Sequence, residues 1–203
     1  MVCVLNCNPI RVLAADNQDE EFSDYYDMNY TETIYLDGVN YQLTYSYDNE
    51  GNQHINIRDL ETLTTEVITY DAGSNALYYN NQNIMSYVSD NTENPAFITP
   101  YDANWLYFSS GSRVISHLET MTAMAFVAAI AAYISPYSTA VGVLAAIGAT
   151  SVDYIIGQFA QATVNVTVYK FNSNLVTQFR YDWSVTPSGG STYGPYTSVS
   201  PII

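Results

Sequence analysis

Thr120-Met-Thr-Ala-Met-Ala-Phe-Val-Ala-Ala-Ile-Ala-Ala-Tyr-Ile-Ser135-Pro136-Tyr-Ser-Thr-Ala-Val-Gly-Val-Leu-Ala-Ala-Ile-Gly-Ala-Thr-Ser-Val152 is a run of 33 residues without a charged side chain, bracketed by Glu119 and Asp153. Proline has no amide proton and pushes its predecessor out of the helical region, so Ser135-Pro136 divides the run in two. The expectation is a pair of helices over roughly 115–134 and 138–159, with Ser135 or Ser138 capping the second. Each would be about 26–33 Å long, comparable with the hydrocarbon core of a bilayer.

Apolar residues surround the first of these helices, a pattern found in the centre of a globular core or in lipid. Small residues recur four apart, as in Ala125 with Ala129, Ala128 with Ala132, Gly142 with Ala146 and Ala145 with Ala149. Such spacing lets two helix backbones approach closely. Two readings follow: a tightly packed hairpin buried under a sheet, or a hairpin whose role includes inserting into a membrane. In the second reading, the residues meeting the membrane or a partner are Met121, Met124, Phe126, Val127, Ile130, Tyr133, Ile134, Val141, Val143, Leu144, Ile147 and Ile155.

The net charge of -15 is confined to the first half of the chain. Residues 1–104 hold seventeen Asp or Glu against Arg11 and Arg58, whereas residues 105–203 balance Arg113, Lys170 and Arg180 against Glu119, Asp153 and Asp182. Five basic residues in 203 exclude ordinary nucleic-acid binding, which needs cations to displace counterions from phosphates. The same acidity disfavours resting on an anionic membrane. Twenty tyrosines with few lysines suit a secreted, extracellular protein.

Residues 1–15 read as the remnant of a signal peptide, with small residues around Val12-Leu13-Ala14 but no basic start, so that Met1 would be internal to a longer precursor. An ordinary N-terminal strand is the other reading. Cys3 and Cys7 fall inside this segment, and its removal would leave no cysteine for a disulfide or a thiol nucleophile. Residues 16–30 form an acidic leader, with six carboxylates between Asp16 and Asp27, expected to be extended or disordered.

From Thr31 apolar and polar residues alternate with the period of half-buried strands. Residues 31–36 and 39–47 flank Asp37-Gly38, a type I′ hairpin dipeptide, and further strands are expected over 54–59, 66–70 and 76–79. They make an acidic antiparallel meander over 31–88. Residues 89–104, with Pro95 and Pro100, read as a linker at the charge boundary. Residues 105–203 form the second module: the aromatic cluster Trp105-Leu106-Tyr107-Phe108, the helical hairpin, then a β-hairpin. In that β-hairpin Val164, Val166 and Val168 alternate with polar residues, and Tyr181 and Trp183 oppose Arg180 and Asp182. A last strand is expected near 196–200. The fold class is therefore α+β, an N-terminal meander followed by an apolar helical hairpin flanked by a C-terminal β-hairpin.

No catalytic constellation is legible. His54 and His117 are the two histidines, too few for a zinc site, and no G-x-S-x-G is present. Asp48-x-Glu50-x-Asn52 resembles the start of a calcium loop, but Gln53 stands where that loop needs Gly, and a hairpin turn explains the run. Neither a cofactor nor a metal is expected, and the chain is read as a non-enzyme.

The layout from Tyr35-Leu36-Asp37-Gly38-Val39-Asn40-Tyr41 through Ser110-Gly111-Ser112-Arg113 and the Ala/Gly hairpin to Val168-Tyr169-Lys170 resembles exported, bacteriocin-like proteins of Gram-positive bacteria. That resemblance implies an antimicrobial or toxin-like protein whose hairpin inserts into or docks on a target membrane or cell-surface partner. The acidic half would serve as a solubilising or pro-region. The alternatives are a non-catalytic extracellular binding or structural module whose hairpin is only its core, and an immunity or inhibitor protein.

Overall fold

A computed structural model describes residues 29–87, 104–172 and 176–202. The proposed signal remnant, nearly all of the acidic leader and of the linker lie outside the described residues. β1 (Tyr30–Leu36), β2 (Val39–Tyr47), β3 (Gln53–Asp59), β4 (Thr65–Asp71), β5 (Ala76–Tyr79) and β6 (Gln82–Asn83) form a six-stranded antiparallel sheet in chain order. The β1–β2 turn has positive φ at Asp37 (51°) and Gly38 (91°), the type I′ geometry that the Asp-Gly pair favours.

The second sheet has the order β11-β10-β9-β8-β7, from β7 (Met85–Tyr87), β8 (Trp105–Ser116), β9 (Gln161–Phe171), β10 (Phe179–Pro187) and β11 (Tyr193–Val199). Ile84 ties the two sheets together. Its N–H donates to the Leu77 carbonyl (2.9 Å), and its own carbonyl accepts from the Ser116 N–H (2.8 Å).

The α-helices among the described residues are three and short: α1 (Ala123–Ile134), α2 (Ala140–Ile147) and α3 (Ala149–Gln158). Among the described residues strand accounts for 50% and helix for 21%, so the expected α+β class built around a helical hairpin is corrected to a mostly β fold of two antiparallel sheets. Three local causes shortened the helices. His117 takes a left-handed conformation (φ 63°) after β8, so the chain turns there, and Thr122, whose Oγ1 accepts from the Ala125 N–H, sets the start of α1. Gly148 (φ 86°) breaks the second stretch into α2 and α3, bent by 87°. Thr139, whose side chain accepts from the Gly142 N–H, caps α2 in place of Ser135 or Ser138.

Trp105–Ser116, where the expectation is an aromatic cluster followed by a helix from about 115, forms β8, the longest of the described strands. A bulge hides the alternation: Tyr107 pairs with Tyr169 and Ser109 with Val168, leaving Phe108 as the extra residue.

α1 packs on β3, β4 and β5 and against α2 and α3, while Tyr133 reaches the second sheet, where a Cβ on Gly111 would lie 3.0 Å from its hydroxyl. One apolar cluster runs from Leu43, Ile55 and Ile68 through α1 to Ile115, Val164, Trp183 and Val185. Ten of the twelve α1 side chains are buried, which explains both the absence of a polar face and the dominance of alanine. At 1.5 Å per residue α1 is about 18 Å long. No single described helix is long and apolar enough to cross a membrane; the bent α2/α3 pair meets that test by length and composition alone.

Enclosure of α1 sets a test. Ala128→Leu adds volume where there is no space, and the expected loss is about 1–3 kcal/mol, read as a fall in chemical or thermal midpoint. A variant as stable as the parent would mean that α1 is not enclosed.

Candidate functional site

The residues expected to meet a membrane are mostly interior. Met121, Met124, Phe126, Val127, Ile130, Ile134, Val143, Leu144, Ile147 and Ile155 are buried, and Tyr133 and Val141 are half-buried. They form a core surface, not an exposed one.

Half-buried carboxylates of the first sheet hold the helices in place. Glu32 accepts from the Tyr45 hydroxyl (2.5 Å) and from the N–H of Ala140 (3.1 Å), the first residue of α2. Burial pushes the Glu32 carboxyl above the ordinary value of 4.5, against the opposing effect of hydrogen bonds from Tyr45 and the Val141 and Ala140 amides. Burial, followed by the Glu32 charge, raises Tyr45 well above the ordinary tyrosine range. Glu66 accepts from the Tyr79 hydroxyl (2.7 Å) and from the Oγ1 of Thr122, the cap of α1 (2.6 Å). The Tyr47 hydroxyl donates to the Pro136 carbonyl between the helices (3.1 Å). Two carboxylates thus sit at two helix N-termini, where the helix dipole favours negative charge.

A second polar cluster has the form acid, imidazole, hydroxyl. Asp48 Oδ2 lies 3.2 Å from His54 Nε2, and His54 Nδ1 lies 3.1 Å from Thr69 Oγ1. Thr69 sits in β4, which is paired on both sides at that position, so the neighbouring amides belong to the sheet ladder and none is placed to stabilise an oxyanion. Asp48 closes the β2–β3 turn by accepting from the Asn52 and Glu50 amides (both 2.9 Å), and the Asn52 amide above all holds its carboxyl far below the usual range. Among the described residues no group of three His, Cys, Asp or Glu could hold a metal ion. His117 is exposed, 3.8 Å from Glu119.

The outward face of the second sheet is different in kind. Residues opposite one another in register share a face. That face carries, in successive rows, Trp105 with Phe171, then Tyr107, Tyr169, Arg180 and Val199, then Ser110, Thr167, Asp182 and Thr197. Trp105 meets Phe171 edge to face at 5.2 Å, and Tyr107 meets Tyr169 at 6.4 Å. The Arg180 guanidinium lies over the Tyr169 ring at 5.3 Å and forms a fork with Asp182, its Nε and Nη2 donating at 2.9 and 2.7 Å. Thr197 Oγ1 donates to Asp182 (2.8 Å), the Tyr107 hydroxyl meets Ser110 Oγ (3.1 Å), and Ser112 donates to Asn165 in the next row.

Around the same end the bulged Phe108 packs edge to face on Phe179 (5.6 Å). Leu106, Tyr107 and Phe108, consecutive in the chain, are 54%, 62% and 61% exposed, and Val199 is 50% exposed. Other exposed large apolar side chains, such as Tyr35 and Tyr154, lie elsewhere on the surface. The grouping of four around one sheet end is the feature that scattered apolar residues do not explain. Sequence reading missed it because the Tyr107–Ser109 bulge concealed β8; the signal it left was the cluster Trp105 to Phe108.

No family model matches the chain, and neither a characterised protein nor a solved structure is similar to it.

The raised Glu32 carboxyl has a pH consequence. A group whose folded pKa lies above its unfolded value contributes stability that is fully present below the unfolded pKa and is lost as pH rises through the folded one. Asp153, raised by burial and then by its hydrogen bond with Asp37, acts in the same direction. Turn residues Asp59 and Asp71 act oppositely and at lower pH: backbone and hydroxyl donors from Thr62 and Ser74 hold them low, so their contribution is lost as pH falls. Glu32→Gln is expected to flatten the decline in melting temperature from pH 4.5 toward neutrality. Parallel curves for parent and variant would show that Glu32 does not titrate differently on folding.

Proposed function

We propose that this protein is a non-catalytic, exported recognition module that uses the aromatic end of its second sheet as the contact surface, its apolar helices serving as core. The observation carrying this reading is the exposure of Leu106, Tyr107 and Phe108 at one end of β8, with Tyr107 on the face that holds the Arg180–Asp182 pair in fixed geometry. Large apolar side chains displayed on a rigid strand suit recognition, since little conformational entropy remains to be lost on binding.

Burial of the α1 side chains weighs against membrane insertion as the resting activity. Transfer of the helices to lipid would regain only part of the apolar burial that the core already supplies, and would strand Glu32 and Glu66. Among the described residues the bent α2/α3 pair is the feature that favours that alternative.

Co-sedimentation with isolated bacterial cell-wall sacculi, beside dye leakage from anionic and neutral vesicles, separates the two. The expected result is sedimentation with sacculi that weakens in Tyr107→Ala, and no leakage. Leakage without sacculus binding would support the inserting alternative and overturn the recognition module.

A further inference from the structure

We infer that the ligand of this aromatic end is a neutral oligosaccharide; the inference rests on the recognition reading above. A sugar ring presents an apolar C–H face and a rim of hydroxyls, and the outward face of the second sheet offers both complements side by side. Tyr107, with half-exposed Trp105 and Phe171, supplies aromatic surface; buried Tyr169 backs Tyr107 edge to face without covering it. Beside the rings the same row carries Arg180 and the next carries Asp182, Thr197 and Ser110, the two hydroxyls exposed and the ion pair partly exposed. Arg180 and Asp182 orient each other through two hydrogen bonds, and Tyr169 supports the guanidinium from below, so hydroxyls would meet groups already positioned.

Size and charge select among ligand classes. Four strands, β8 to β11, span about 14 Å at their usual spacing, and Trp105 to Ser110 extend about 16 Å along the strand. The resulting face of roughly 220 Å² is well below the ~800 Å² per partner of a stable protein interface, and fits a few sugar rings. A polyanion would approach a chain of net charge -15 against its field. Locally Lys170 and Arg180 against Asp182 leave a single positive charge, with Arg180 already paired. A bilayer would have to desolvate the exposed Lys170 ammonium and the Ser110 and Thr197 hydroxyls alongside the rings. A neutral saccharide meets neither obstacle.

The test titrates the full chain with cellohexaose, maltohexaose and chitohexaose as neutral probes and with hexagalacturonate as the anionic one. Heat of binding and tryptophan fluorescence are the readouts; Trp105 is half-exposed and Trp183 buried, so a ligand at this end acts on the former. At least one neutral probe should bind saturably, about tenfold more weakly to Tyr107→Ala and Arg180→Ala, and unchanged to Tyr35→Ala, whose exposed ring lies on the other sheet. Tyr107→Phe should retain most of the affinity. Binding of hexagalacturonate alone, or affinity indifferent to Tyr107→Ala, would overturn the inference. Sacculus binding that depends on Tyr107 but is not displaced by any neutral probe would refute the saccharide while leaving the recognition module standing. Loss of both would refute the two together.

Discussion

A helix with no polar face has to be enclosed on every side, and the architecture follows from meeting that demand for α1. Its side chains from Met124 to Ala132 are buried, which takes β3, β4 and β5 on one flank, α2 and α3 on another, and the second sheet beyond Tyr133. Enclosure strands backbone donors at the helix starts, and an unsatisfied buried donor is costly. The first sheet supplies the remedy from its inward face: Glu66 through Thr122 at α1, and Glu32 with Tyr45 at α2. Burying a carboxylate is unfavourable alone, but hydrogen bonds and the helix dipole offset that cost. Sheet and helices are thus interdependent, although they come from opposite ends of the chain's charge distribution.

The acidity of the first sheet is partly structural. Asp48, Asp59 and Asp71 each close a hairpin turn by accepting amide protons two or more residues on, the habit that makes Asp a turn residue. Concentrating carboxylates on turns and inner anchors leaves the outward face of the second sheet with a paired Arg180–Asp182 and a stripe of rings. Apart from that ion pair, charge is therefore segregated from the proposed contact surface.

Much of the first sheet is legible in the sequence, because Thr31 to Tyr79 alternates cleanly and Asp37-Gly38 demands a particular turn. β2 and β5 occupy the residues that alternation predicts. The second sheet is less legible. β8 carries a bulge at Phe108 and a Ser-Ser-Gly-Ser run, so its alternation breaks where the aromatic surface begins. The uncharged run from Thr120 to Val152 announces burial, but not what does the burying, since lipid and a protein core select the same side chains. Gly148 ends α2 through a backbone conformation that hydrophobicity does not report. Glu32 and Glu66 read as two among many acids, and their anchoring roles depend on pairings 108 and 56 residues apart in the chain.

The account stands or falls on α1 being the interior of the folded molecule. Native-state amide hydrogen exchange across Ala125 to Ile134, measured with and without lipid vesicles, addresses that point directly. These amides should be among the slowest in the chain, exchanging only through global unfolding, with rates unchanged by vesicles. Rapid exchange in water, or protection that changes when vesicles are added, would contradict it.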